Sequence, residues 1–207
     1  MPSEPGIVHV IDDDEALRES LTFLLRAADI EVKSHSSAAA FLDALPAADL
    51  RCIITDVRMP GLSGIDLLRR LKELGIGAPV IVITGHGDVP LAVEAMKFGA
   101  FDFFEKPFDD EVLLKSVRSA LRQQAGEIRR RTERADIESR LAALSPRERE
   151  VLGGLVAGRA NKQIAFDLGI SPRTVEIYRA NLMDKMRAGS LSDLVRMALI
   201  VGILESG

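Results

Sequence analysis

Two hydrophobic regimes divide the chain. Up to Phe104, short apolar runs alternate with amphipathic stretches; from Val112 onward the period stays helical. Residues 7–11 and 52–55 are apolar with β-branched side chains, 79–83 is apolar enough for burial on both faces, and 101–104 is a short aromatic run. Residues 30–34 alternate like a strand exposed on one face. Between these runs Leu17, Leu21, Leu24 and Leu25 repeat at helical spacing, as do Ile65, Leu68, Leu71 and Leu74. Ser36 and Ser37 cap a helix over 38–45 that Pro46 punctuates, and another helix covers 90–98 before Gly99. Five strands alternating with helices predict an α/β domain with a doubly wound parallel sheet.

The helical remainder has its own order. Leu114, Leu121, Ile128 and Ala135 recur every seven residues, but the matching positions Gln124, Arg131 and Glu138 are polar. The stretch therefore reads as a long exposed linker helix, with Arg129–Arg131 a solvated face, and not as a stable coiled coil. Ser145, Pro146 and Glu148 then give a capping-box helix start. Helices over 146–157, 161–168, 172–187 and 190–199 follow, and the turn at Gly169–Pro172 makes the second and third a helix-turn-helix. On the third helix Val175, Tyr178, Leu182 and Met186 form the core stripe. Glu176, Ile177 and Ala180 lie on the opposite arc, where a groove-entering helix meets base edges. Arg173, Arg179, Lys185 and Lys162 suit phosphates, which set register without reading sequence. The plain alternative is a helical bundle with mixed surface charge. The domains expected are 1–122, a linker helix at 123–142, and an all-α unit at 143–207.

Chemistry collects where the strands end. The first strand runs into Asp12-Asp13-Asp14-Glu15, the third into Asp56 and a Pro-Gly turn, the fourth into Thr84-Gly85-His86-Gly87-Asp88, a flexible rim loop, and the fifth into Glu105-Lys106-Pro107. Ligands of open α/β sheets gather at this rim. Asp14 and Glu15 are accounted for as a helix N-terminus; Asp12 and Asp13 lie too close to the strand for that. Taken singly, a Thr after a strand is a cap and a Lys-Pro a surface turn. Together, Asp12, Asp13, Asp56, Thr84 and Lys106 are the parts for a divalent cation and an acyl phosphate. Magnesium takes such oxygens and would make Asp56 a nucleophile toward phosphorus. Lys106 would pair with one phosphoryl oxygen, and Thr84 would donate to another.

Composition narrows this only a little. Hydrophobic residues make up 47% and charged residues 28% of the 207, as in a globular protein with a proper core. The net charge of −4 is uneven: 17 basic and 24 acidic side chains up to residue 139, then 10 basic and 7 acidic. A basic second part is compatible with a polyanionic partner. The single cysteine, Cys52, fits a small core residue. No apolar run approaches a membrane span, so a cytoplasmic location without membrane contact is expected.

Residues 7 to about 122 resemble a response-regulator receiver domain, through Asp12-Asp13, Asp56-Val57-Arg58-Met59-Pro60-Gly61-Leu62-Ser63-Gly64, Thr84-Gly85 and Lys106-Pro107-Phe108. The resemblance implies the strand order 2-1-3-4-5, phosphorylation of Asp56 by a sensor histidine kinase, and Mg²⁺ held by Asp12, Asp13, Asp56 and the backbone carbonyl of Arg58. It also implies an aromatic switch at Phe103, which would otherwise read as a plain core residue, and a cis bond at Lys106-Pro107. Residues 144 to about 199 resemble the LuxR-type helix-turn-helix, through residues 144–152, 161–165 and 170–176. That likeness adds Thr174 to the DNA-facing set, and Glu176 and Tyr178 depart from the usual basic residue and histidine. The pairing of modules and the length resemble the FixJ-type regulators of nitrogen-fixation genes. The expected protein is thus a non-enzymatic transcriptional activator of a two-component system, a homodimer when phosphorylated. Double-stranded DNA and RNA polymerase would be its further partners. Rival readings are an enzyme that turns over phosphate and a regulator that works without phosphorylation.

Overall fold

The five apolar runs form strands β1 (Ile7–Ile11), β2 (Val32–His35), β3 (Leu50–Asp56), β4 (Val80–Thr84) and β5 (Asp102–Glu105). They pair in parallel in the order β2-β1-β3-β4-β5. Between them run helices α1 (Glu15–Ala27), α2 (Ala38–Asp43), α3 (Gly64–Glu73) and α4 (Val89–Lys97). This computed structural model describes residues 6–45, 50–85 and 89–203; Pro46 and the rim-loop residues His86, Gly87 and Asp88 lie outside them.

Every residue of β1 and β4 is buried because helices cover both faces of the sheet. Alternate strand residues serve opposite layers. Ile11, Ile53 and Val82 pack with Phe41 of α2, Leu67 and Leu71 of α3 and Ala95 of α4. Val8, Val10, Ile54, Ile81 and Ile83 pack with Leu21 and Leu25 of α1 and with Leu113 and Val117. The last two open α5 (Asp110–Ala142), one helix of 33 residues. Cys52 is fully buried among them, and burial pushes its thiol up to about 12, so it is an inert core residue.

Hydroxyl and carboxyl caps fix where helices begin. Asp14 accepts from the backbone of Ala16 and Leu17, Ser37 from Ala40, Ser63 from Asp66, and Asp109 from Glu111 and Val112. The expectation that β2 begins at residue 30 is corrected. The Ile30 N–H donates to the Leu25 carbonyl and closes α1, so extended pairing starts at Val32.

The chain divides after Glu127 into two compact units. The second holds the end of α5 with α6 (Pro146–Val156), α7 (Asn161–Leu168), α8 (Pro172–Met186) and α9 (Leu191–Ile200). Ile137, Leu144, Val151, Leu155, Ile164, Val175, Leu182 and Leu194 are its core. Ser145 and Glu148 make the reciprocal cap of α6, while Ser171 and Ser190 cap α8 and α9. Gly169, at φ +65°, ends α7 in a left-handed turn that a side chain would oppose.

Candidate phosphoryl-acceptor site and nucleic-acid interface

Parallel strands all end on one rim, so residues far apart in sequence meet there. The Lys106 ammonium lies 2.5 Å from Asp56 Oδ1 and 3.3 Å from Asp12 Oδ2. Asp56 ends β3, Asp12 follows β1 and Lys106 follows β5. The other oxygen of Asp56, Oδ2, accepts the Arg58 backbone N–H at 2.5 Å. Thr84 ends β4 and is fully buried. It stands one residue beyond the Asp56–Ile83 pairing, and its carbonyl accepts the Lys106 N–H at 2.8 Å. The Lys106–Pro107 bond is cis. Phe103 is half-buried on β5, paired in register with Val82.

The surroundings hold these groups tightly. Asp12 Oδ1 accepts the Asp14 N–H at 2.8 Å, and Arg18 donates to the carbonyls of Asp12 and Asp13. Gly64 lies against the Asp56 backbone: a Cβ there would sit 2.2 Å from the Asp56 carbonyl oxygen. Arg18 and Gly64 thus shape the site, and only Gly64 had a sequence signal, its place in the turn after Asp56. Burial raises the carboxyl of Asp12, as does the Asp56 charge, against the lowering pull of the Asp14 N–H and Lys106. For Lys106, burial opposes the charge, but the hydrogen bond and charge of Asp56, then Asp12, outweigh it and raise the ammonium above its ordinary value.

Among the described residues, no three His, Cys, Asp or Glu side chains could hold a metal by themselves. The donor chemistry nevertheless fits magnesium, which uses one or two carboxylates together with water and phosphate oxygens and seldom a complete protein cage. Asp12 and Asp56 are that carboxylate pair, both more than nine-tenths buried, and Asp13 is the exposed acid beside them.

The face reading of α8 can be set beside its burial. Val175, Leu182 and Met186 are buried and Tyr178 packs partly against them. Arg173, Glu176, Ile177 and Ala180 are exposed; Thr174 and Arg179 are half-buried. Lys162 on α7 is exposed and lines, with Arg159, Arg179 and Glu176, a cleft of about 600 Å³. Lys185, expected from the sequence to meet a phosphate, is engaged within the protein. Its ammonium is 2.7 Å from the nearly buried Glu148 carboxylate. The Lys185 hydrogen bond, and then the Ser145 backbone N–H, hold the Glu148 carboxyl below its ordinary value.

Two family models match the chain. Residues 8–118 match the response regulator receiver domain, and 142–198 match the bacterial regulatory proteins of the luxR family. The chain belongs to the two-component response regulators. This regulator is 60% identical to the transcriptional regulatory protein FixJ of Azorhizobium caulinodans, over 95% of its own length and 93% of the relative's. It is 54% identical to the FixJ of Bradyrhizobium diazoefficiens, over 97% and 98%. Among solved structures, it resembles the response regulator StyR with a TM-score of 0.87 and 39% identity, covering 95% and 99% of the two chains. Against full-length FixJ from B. japonicum the TM-score is 0.61 at 53% identity, with 98% and 100% covered. It is therefore a transcriptional regulator with a LuxR-type DNA-binding domain, in a non-enzymatic family whose receivers generally bind Mg²⁺ at the acidic site. Among the described residues no helix is long and apolar enough to cross a membrane.

Proposed function

We propose that this regulator is switched by phosphorylation of Asp56, which pairs its receivers and brings two helix-turn-helix modules onto DNA. The observation that carries the reading is the Lys106 ammonium shared by Asp12 and Asp56, groups 94 and 50 residues away from it in sequence. The receiver is 1–122, the linker 123–142 and the DNA-binding module 143–207.

An Asp56 oxygen attacks phosphorus, and the bond to the donor's histidine nitrogen breaks as the O–P bond forms. The Arg58 N–H holds the second Asp56 oxygen, so the carboxylate meets the donor already oriented. Lys106 then exchanges its contact with Asp56 Oδ1 for a phosphoryl oxygen, and the Thr84 hydroxyl donates to another. Asp12, Asp13, Asp56 and the Arg58 carbonyl would hold Mg²⁺, which supplies charge neutralisation among the acids when bound. The modification adds about −1.5 to −2 charge at a rim already rich in acid. Movement of Thr84 leaves room for Phe103 to turn inward, and the surface over 89–104 changes to one that binds a second copy. On the DNA, Glu176, Ile177 and Ala180 meet base edges, while Lys162, Arg173, Thr174 and Arg179 meet phosphates and sugars. The only hydrolysis expected is that of its own aspartyl phosphate. By likeness to the FixJ relatives, the kinase is a sensor histidine kinase. The regulator acts in the cytoplasm, working with RNA polymerase as an activator of nitrogen-fixation genes.

Acetyl phosphate with Mg²⁺ tests the reading. Intact mass should rise by one phosphoryl group, sedimentation should show a dimer, and affinity for a duplex selected from random DNA should increase at least tenfold. Asp56→Asn should lose all three. Unchanged mass and oligomeric state in the wild type would refute the switch.

A further inference from the structure

The carboxyl end of α8 is tied to two other elements, by a cation that reaches it from α5 and by a cation of its own that reaches α6. Arg140, near the end of α5, donates from Nη1 to the Met186 carbonyl at 3.0 Å and is itself paired with Asp136. Met186 is the last residue of α8, so its carbonyl is one the helix cannot satisfy internally, and a cation there also suits the helix dipole. Lys185, one residue earlier, reaches Glu148 at 2.7 Å. Glu148 is the acid of the α6 cap, and the same oxygen, Oε2, accepts the Ser145 N–H at 2.7 Å. Two neighbouring positions on α8 are thereby tied to α5 and to the start of α6.

Packing alone does not need this. Val175, Leu182 and Met186 already bury the inner face of α8, and Arg140 leaves its Nε buried without a partner, a costly way to fill space. Apolar contact is non-directional, whereas a hydrogen bond to a terminal carbonyl fixes both tilt and roll. Ile177 lies nine residues before Met186, about 14 Å along the axis at 1.5 Å per residue. A tilt of about 10° at that distance moves a side chain by roughly 2 Å, enough to break a hydrogen bond to a base edge.

We infer that Arg140 and Lys185 are positioning residues for DNA reading, which set the angle at which Glu176, Ile177 and Ala180 meet the groove. The inference rests on the proposed entry of α8 into DNA and assigns Lys185 an internal duty in place of a phosphate contact.

The test uses the full-length protein treated with acetyl phosphate and Mg²⁺, a duplex selected by the wild type from random DNA, and a scrambled duplex. Affinities are measured over a range of salt concentrations. Arg140→Met and Glu148→Gln should each weaken the selected duplex about tenfold, change the scrambled duplex less than twofold, and leave the salt dependence unaltered. A phosphate-contacting Lys185 gives the opposite result in Glu148→Gln: the freed ammonium tightens binding to both duplexes and steepens the salt slope by about one contact's worth. That outcome, or wild-type selectivity in both folded variants, overturns the inference. A merely structural Arg140 would lower the melting temperature and leave selectivity intact. Should Arg140→Met fail to fold, Glu148→Gln and Lys185→Met, altered at a side chain 41% exposed, decide alone. Wild-type protein that binds neither duplex would instead refute the DNA reading itself.

Discussion

Lys106 competes for the same oxygens that a divalent ion would take. Its ammonium bridges Asp12 and Asp56, and the two acids in turn keep it charged despite burial. Removing the ammonium without removing the acids should therefore raise affinity for a metal. Calorimetric titration is expected to show Lys106→Met binding Mg²⁺ several-fold more tightly than wild type, and Asp12→Asn about tenfold more weakly. A second buried group bears on stability. The His9 ring is fully buried, stacked 5.1 Å from His35 and edge-on to Phe41, with its Nδ1 2.9 Å from His35 Nε2. Burial, followed by the charges of His35 and Lys33, holds it down at about 4. Above about pH 6.5 neither native nor unfolded His9 is protonated, and it contributes nothing. Below that, the unfolded chain takes up a proton that the native ring refuses, so stability falls as pH falls toward 4. Urea unfolding should lose about 1–2 kcal/mol between pH 7 and pH 5, and His9→Phe should flatten most of that slope.

At the scale of elements, α4 buries little apolar side chain. Among its described side chains the buried ones are Ala92 and Ala95, which offer little area, with Leu91 and the following Phe98 only partly covered. What ties it to α3 is Arg69, paired with Glu94 at 2.6 Å and centred 4.3 Å over the Phe98 ring. Arg69→Ala should speed amide exchange along α4 about fivefold while leaving α3 unchanged. It should also lower the dose of acetyl phosphate needed for dimerisation. The strands' polar ends and the rim are readable from the sequence for one shared reason. Apolar runs with abrupt polar ends mark strands, and topology brings strand ends together, so Lys106 and Asp56 could be joined across 50 residues. The pairs His9–His35, Glu148–Lys185 and Arg140–Met186 span 26, 37 and 46 residues with no such rule. They depend on how particular side chains meet after packing. The sequence marks Glu148 as a cap, which it is, but its second partner, Lys185, has no local signal.

Across the whole molecule the two units differ in charge. Residues 1–127 carry 13 basic and 21 acidic side chains, and 128–207 carry 14 and 10. A phosphoryl group makes the first still more negative, so any gain in affinity for DNA cannot come from attraction by the receiver. Under the proposed switch it comes from the number of modules engaged. The slope of log affinity against log salt should roughly double on phosphorylation, as two modules replace one in neutralising phosphates. A higher affinity with the same slope would mean that a single module had been released instead.

The sheet order leaves β2 and β5 as its borders, each four residues long. One exposes Lys33 and Ser34, and the other runs straight into Lys106 and Pro107. Borders so short and so charged make poor templates for an incoming strand. Copies crowded along a duplex should then meet through side chains and separate again, with no route toward fibres.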